Sequence, residues 1–320
     1  MPAGQPFTLL CRQMARPRFA GRADLHVHTN YSDGDYTAAQ VVDLAQRAGL
    51  AAVAITDHDT TTGIAPARQA ACHRSPVEII AGIEITAEFR GRELHLLGYF
   101  FRPDDGPLQS ALAALRADRL SRFGEMVGRL KQLGVFLPDE LLAGVSSAGT
   151  LGRRNLAELL VRAHKATTIR EAFQRFLGDH GRAAVPKRRL AVREAIALVR
   201  GAGGVAAWAH PTYDCTERAL AELCTRGLQA VEADFPSCRP SRARDLRTWA
   251  DKLGLAITGG SDCHGPEPAG RHLGTHGVTP AELEALRGLA GAGASGALEI
   301  RNPNLEIRNK SEYQKLEADR

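Results

Sequence analysis

The stretch D-L-H-V-H-T-N-Y-S-D-G, residues 24–34, places His26 and His28 one residue apart and Asp33 five residues further on. A β-strand sends successive side chains to opposite faces, so His26 and His28 share a face while Val27 takes the other. Neutral imidazole is the commonest metal ligand, and a carboxylate can complete such a set. Two histidines in a strand can also simply pack. The choice between these readings depends on what the rest of the chain supplies.

Outward from this stretch, residues 23–28 read as a strand. Val41, Val42, Leu44, Ala45 and Ala48 recur at helical spacing over 37–48, with Gly49 as the stop. A-A-V-A-I-T (51–56) is a short apolar run, read as a buried strand that ends in D-H-D-T. A helix is expected around 64–73, then strands at 77–86 and 93–100. From 107 to about 177 the pattern is helical throughout, with Leu112, Leu115, Leu120, Phe123, Val127, Leu130 and Leu133 along one segment. Strands return at 203–211, 228–234 and 255–262, with helices at 216–226 and 240–253 between them. Strand–helix alternation on both sides of a helical block predicts a parallel α/β fold carrying an inserted helical subdomain. Polar residues gather where the strands end, and in a parallel barrel those ends share the face that holds the site.

Four regions follow: an N-terminal extension over 1–22, a barrel from 23–104 and 190–297, an inserted helical cap over 105–189, and a polar tail over 298–320. The tail contains the paired heptads L-E-I-R-N-P-N and L-E-I-R-N-K-S. Two copies cannot build a solenoid, so a surface extension is expected.

The 320 residues are 44% hydrophobic and 24% charged, as in an ordinary globular protein able to bury a sizeable core. The net charge of +5 suits anionic small molecules or nucleic acid without identifying a nucleic-acid binder. Cys11, Cys72, Cys215, Cys224, Cys238 and Cys263 form no C-x-x-C pair, which predicts reduced thiols and a cytoplasmic location. The first 22 residues lack the apolar core of a signal peptide, and no run approaches the length of a bilayer span.

Five segments offer metal-type ligands at or near a predicted strand end. They are His26/His28/Asp33, Asp57/His58/Asp59, Glu84 with His95, His210 in A-H-P, and Asp262/His264 in G-S-D-C-H-G. Singly each is weak: His95 reads equally as a core histidine, and D-C-H after two glycines as a turn. Jointly they place six of the eleven histidines beside strand-end carboxylates. The others, His73, His164, His180, His272 and His276, are expected on the surface. No phosphate-cradling loop and no serine-nucleophile elbow is present.

In chain order, D-L-H-V-H-T-N-Y-S-D-G, T-D-H-D-T, G-I-E-I-T, H-L-L-G-Y-F, A-H-P and G-S-D-C-H-G resemble the motif blocks of the PHP (polymerase and histidinol phosphatase) superfamily, from residue 23 to about 280. The insert, with K-A-T-T-I-R-E-A-F-Q-R-F-L-G (165–178) and V-P-K (185–187), is most similar to the branch of nucleoside 3′,5′-bisphosphate phosphatases and 5′-to-3′ exoribonucleases. The resemblance implies an α/β fold, a distorted (β/α)7 TIM-like barrel with a trinuclear metal site. It implies that His26, His28, Glu84 and Asp262 hold one ion, Asp33, His58 and His264 a second, and Glu84, His95 and His210 a third, with Glu84 bridging. It favours Mn2+, two or three ions, with Fe or Zn as alternatives. Asp57 and Asp59, which flank a ligand, are expected either to orient imidazoles through hydrogen bonds or to hold the turn.

The implied reaction is attack of metal-activated water on a phosphate ester, either a nucleoside 3′,5′-bisphosphate or the 5′ end of a short RNA. Arg153, Arg154, Lys187 and Arg271 are the expected substrate-binding residues, since guanidinium forks match phosphate. Exposed basic residues on helices are also commonly just solvated. No membrane and no obligate protein partner is implied. A histidinol-phosphate or other sugar-phosphate monoesterase is the alternative, and a non-catalytic metal-dependent nucleic-acid-binding module a further one. The complete ligand set speaks against the latter. A TIM-barrel amidohydrolase usually needs a carboxylated lysine on a strand end, and no lysine precedes Lys131.

Overall fold

The computed structural model describes residues 21–72, 76–144, 150–187, 189–266 and 270–291. The extension over 1–20, the tail over 298–320, His73 and Arg188 lie outside the described residues.

Seven strands form one continuous sheet path: β1 (Ala23–Val27), β2 (Ala52–Ile55), β3 (Glu78–Phe89), β4 (Arg92–Tyr99), then β6 (Val205–Trp208), β7 (Ala230–Asp234) and β8 (Ala256–Gly259). The two-residue strand β5 (Leu190–Ala191) pairs with β3 off this path. Val27 bridges Cys263, and the His28 N–H donates to the Cys263 carbonyl at 2.9 Å, so the sheet nearly closes into a barrel. Strands buried on both faces read as continuous apolar runs, which is why β1, β2 and β6 are buried at every position.

The expectation of a wholly parallel sheet is corrected. β1, β2 and β3 pair in parallel, as do β6, β7 and β8, but β4 runs antiparallel to both β3 and β6. Only Arg90 and Gly91 separate β3 from β4, at φ 53° and 75°. A two-residue turn with both residues left-handed makes a tight hairpin, whereas a parallel return needs a crossover of a dozen residues or so.

Helices α1 (Ala38–Arg47), α2 (Ile64–Cys72), α7 (Val192–Gly201), α8 (Glu217–Cys224) and α9 (Pro240–Leu253) cover the outside of the sheet, and α10 (Pro280–Arg287) packs near β8. Helix α1 begins at a reciprocal capping box between Thr37 and Gln40 and buries Val41, Val42, Leu44 and Ala45. Those residues join Ile55, Ile83, Leu96, Ile196, Val231 and Leu246 in the larger core. A second core includes Leu25, Ala54, Leu97, Tyr99, Ala207 and Ala230. The buried Tyr99 hydroxyl accepts from Thr258 Oγ1 at 2.9 Å. The β1–β2 pairing shifts between Asp24 and Val27, and across that shift Leu25 joins one core and Val27 the other.

Between β4 and β5 lie α3 (Gly106–Gln132), α4 (Asp139–Ala143), α5 (Arg153–Arg162) and α6 (Ile169–Ala172), the last running into a π-helical turn over Phe173–Leu177. They enclose a third core that includes Phe123, Met126, Leu130, Leu156, Leu160 and Phe176. Leu108, Leu112 and Leu115, from the first turns of α3, belong instead to the barrel's larger core. Helix α3 therefore threads both. No helix among the described residues is long and apolar enough to cross a membrane.

Candidate metal centre

The strand ends converge on Glu84, whose side chain is 1% exposed. Five imidazoles approach its carboxylate: His95 Nδ1 at 2.8 Å, His210 Nε2 at 3.0 Å, His58 Nδ1 at 3.1 Å, His28 Nε2 at 3.2 Å and His26 Nε2 at 3.5 Å. Asp262 Oδ1 lies 3.5 Å from each of His26 Nε2, His28 Nε2 and His264 Nδ1. Asp33 lies 3.4 Å from His264, 3.7 Å from His28 and 3.9 Å from His58.

Backbone geometry explains the convergence. His26 stands on β1, with His28 just beyond it. His58 follows β2, where the Asp59 N–H donates to the Glu84 carbonyl at 3.0 Å and ties that loop to β3. Asp59, His210 and Asp262 have φ of 50°, 27° and 50°, left-handed conformations that non-glycine residues rarely adopt. Such strain is held only where the surroundings over-determine it, commonly at functional sites. Gly260 permits a close approach to β1: a Cβ there would lie 2.3 Å from the His26 backbone nitrogen.

All nine sequence-derived ligand candidates meet here. Their donor atoms form overlapping sets within 4.8 Å: His28/Asp33/His58/His264, His26/His28/Asp262, His26/Glu84/His210 and His58/Glu84/His95. The groupings around Glu84 differ from the implied ones, since His210 groups with His26, and His95 with His58. His26 Nε2, both nitrogens of His28, His58 Nδ1 and Asp33 Oδ1 are buried without a hydrogen-bond partner. An unsatisfied buried polar atom costs about 1–3 kcal/mol. Several such atoms facing one another, all imidazole nitrogen or carboxylate oxygen, fit divalent ions as the missing partners.

The electrostatics agree with this. Burial opposes charging His28, but the facing Asp262 and Glu84 carboxylates raise its pKa to about 10. Burial likewise opposes charge on His95, yet Glu84 and Glu93 raise it to about 9. Burial would raise Glu84 and Asp33, and the facing imidazoles hold both well below the usual carboxylate range. His58 goes the other way, because burial and the neighbouring His28 and His95 disfavour its proton more than Glu84 and Asp33 favour it.

Two buried or half-buried glutamates missed in the sequence orient these rings. Glu232 Oε1 lies 3.1 Å from His26 Nδ1, and its Oε2 accepts the His210 backbone N–H. Glu93 Oε1 lies 3.0 Å from His95 Nε2 and 2.9 Å from Lys187 Nζ. Asp57 and Asp59, expected either to orient imidazoles or to hold the turn, take the second role. Asp57 accepts from the Thr29 N–H, Thr29 Oγ1 and Ser32 Oγ, each at 2.7 Å, and fixes the loop after β1. Asp59 accepts from the Thr86 N–H at 3.0 Å and from Arg119 Nε at 2.6 Å. Glu232 was detectable as the acidic residue interrupting the apolar run L-Q-A-V-E-A, ahead of the strand-ending Asp234. Outer carboxylates of this kind typically change metal affinity or activity 10–100-fold. Glu232→Gln is accordingly expected to weaken metal binding by roughly 10-fold in equilibrium dialysis. Wild-type affinity in that variant would remove Glu232 from this role.

Of the basic candidates, Arg154 Nε donates to the Asp33 carbonyl at 3.1 Å, Lys187 pairs with Glu93, and Arg271 pairs with Asp262. These three reach residues around the centre. Arg153 is engaged within the insert, with Asp179 at 2.6 Å and the Leu177 carbonyl at 3.2 Å. His164 and His180 are exposed as expected. His276 is not a free surface residue, since its Nδ1 lies 2.7 Å from Asp234 Oδ1, and His272 is half-buried. A cleft of about 480 Å³ opens beside Glu84, His95 and His210.

The family model of the PHP domain matches residues 24–175. The chain is 30% identical over 257 residues to a 3′,5′-nucleoside bisphosphate phosphatase of Chromobacterium violaceum, covering 78% of this chain and 90% of that one. It is 31% identical over 250 residues to a 5′-3′ exoribonuclease of Haemophilus influenzae, covering 76% and 90%. A solved Bifidobacterium adolescentis structure, described as a metal-dependent phosphoesterase, superposes with a TM-score of 0.78 at 32% identity, over 86% of this chain and 98% of that one.

Proposed function

Because this chain belongs to the PHP domain family, we propose that its nine clustered side chains hold two or three divalent ions, Mn2+ ahead of Fe or Zn, and that its substrate is a nucleoside 3′,5′-bisphosphate or the 5′ end of a short RNA. The chain is a phosphoric ester hydrolase. The observation that carries the metal reading is the buried Glu84 carboxylate ringed by five imidazoles, several with unpartnered nitrogens. His26, His28, Asp33, His58, Glu84, His95, His210, Asp262 and His264 are the proposed ligands and thereby the catalytic set.

Divalent ions bound there supply neutralisation of the phosphate oxygens and acidification of water near neutral pH. The chain's own residues position the reaction. Glu232 and Glu93 fix the rings of His26 and His95, so each presents its other nitrogen inward. Arg154, Lys187 and Arg271 offer cations at the rim for the anionic substrate. The helical block over 105–189 acts as a cap on the barrel of 23–104 and 190–297 and contributes Arg154 and Lys187. A cytoplasmic location fits the free cysteines among the described residues.

Metal loading should release protons. His28 and His95, at about 10 and about 9, carry protons at neutral pH in the metal-free protein. Imidazolium cannot ligate, so binding must expel those protons, and affinity must tighten as pH rises. Calorimetric titration with Mn2+ near pH 7.5, in buffers of different ionisation enthalpy, should report release of roughly two to three protons, because His26 is likewise held well above its ordinary value by the facing carboxylates. Zero release would contradict this account of the centre.

The substrate is tested by phosphate release from adenosine 3′,5′-bisphosphate, a 5′-phosphorylated short RNA and histidinol phosphate, with Mn2+-loaded protein. The nucleotides are expected to be the better substrates. If histidinol phosphate outpaces both, the substrate assignment fails while the hydrolase assignment stands.

A further inference from the structure

The cleft beside the centre has a wall that the ligand set does not use. It is built from the segments following β6 and β7. Tyr213 stands three residues past His210, lines the same cleft as Glu84, His95 and His210, and is 77% exposed. Its neighbours are held by hydrogen bonds rather than by packing of the ring. Arg242, on α9, donates to the Thr212 carbonyl at 2.8 Å and to the Cys215 carbonyl at 2.7 Å, while its guanidinium lies over Trp249 at 5.1 Å. The backbone around Tyr213 is thus braced while the ring itself stays uncovered. On the β7 segment of the same wall, Ser237 sits at φ 71°, and the Arg239 guanidinium has no hydrogen-bond or ion-pair partner among the described residues.

An uncovered phenol ring has a flat apolar face and a polar edge, the form that stacks on a planar heterocycle. An unpaired guanidinium on the same wall adds a preference for anions. Together they fit a ligand that is both aromatic and phosphorylated. We propose that Tyr213 is the stacking platform for the substrate's nucleobase, and that Arg239 takes the phosphate away from the scissile bond. This wall then selects nucleotides over sugar phosphates that lack a base. The inference rests on the nucleotide reading above and assigns it residues that neither the sequence motifs nor the metal ligands supply.

Base stacking on an aromatic side chain is worth about 1–3 kcal/mol, or roughly 5- to 150-fold. Steady-state kinetics with Mn2+-loaded protein on adenosine 3′,5′-bisphosphate, adenosine 5′-monophosphate and ribose 5-phosphate separate the contributions. Tyr213→Ala should lower the preference for adenosine 5′-monophosphate over ribose 5-phosphate, as a ratio of kcat/KM, by roughly 10-fold, through KM rather than kcat. Tyr213→Trp should restore it. Arg239→Ala should lower the preference for the bisphosphate over the monophosphate while leaving the base preference intact. An unchanged base preference in Tyr213→Ala, or a loss that tryptophan does not rescue, overturns the inference while the nucleotide reading stands. If the wild-type protein releases no phosphate from either nucleotide, that reading falls and takes this inference with it.

Discussion

Glu84→Gln should leave a folded protein that no longer retains its metal ions and has lost activity by at least on the order of 1000-fold. The amide matches the carboxylate in shape, so β3 keeps its pairing with β2 and β4. What disappears is the one negative charge shared by His26, His28, His58, His95 and His210. Two of the four donor sets lose their only carboxylate, and the ions in them lose their compensation. The loss should exceed that from removing a single preorganised hydrogen-bond donor, about 100- to 1000-fold, because a whole ion's worth of electrostatic stabilisation goes with it. Elemental analysis after Mn2+ loading, read beside a thermal melt and a phosphate-release assay, separates the cases. A variant with full metal content and turnover would show that Glu84 is merely a buried acid among histidines.

The second large effect concerns stability and lies outside the ligand set. Arg119 on α3 is buried, with Nε 2.6 Å from Asp59 Oδ2 and Nη2 3.2 Å from Thr86 Oγ1. Asp59 adjoins His58, and its other oxygen accepts the Thr86 N–H. Burial would depress the Arg119 pKa, but attraction and the hydrogen bond to Asp59 outweigh it and raise it, so Arg119 stays charged. Deleting one member of a buried ion pair strands the other and costs about 3–5 kcal/mol. Arg119→Met should therefore lower Tm by roughly 4–8 °C, using about 1.5 °C per kcal/mol for a chain of 320 residues. Lysine cannot reproduce both contacts and should rescue poorly. Arg119→Met combined with Asp59→Asn should recover much of the loss, because no charge is then stranded. A melting temperature within about a degree of wild type in the single variant would mean that water or a neighbouring group already satisfies Asp59.

The parts of the site legible in the sequence were those that obey a short period. The pairing of His26 with His28 was readable from the two-residue repeat of a strand, although His28 lies just past β1, and each other ligand follows or interrupts an apolar run of strand length. Helix α1 was visible from its apolar spacing and the glycine after it. Strand direction was not visible in apolar runs, because burial pattern is the same for a strand running either way. Only the spacing between β3 and β4 fixes it, and the sequence reading ended β3 at residue 86, three residues short of Phe89, which hid how tight the turn is. The orienting roles were misplaced for a related reason. Asp57 and Asp59 flank His58 in the chain, but all three lie past the end of β2, where Asp59 turns left-handed at φ 50° and adjacency no longer says which way a side chain points. Glu232 reaches His26 from β7 and Arg119 reaches Asp59 across 60 residues, pairings that no local pattern encodes, whereas Glu93 stands two residues before His95 on β4, a same-face neighbour that the strand period could have exposed.

Helix α3 deserves a mechanical reading. Its 27 residues make a rod about 40 Å long. Its early turns are bolted into the barrel, its later ones form the spine of the insert, and Arg119 acts as a rivet between them. A clamshell swing of the insert would have to bend this rod or tear one of its seats.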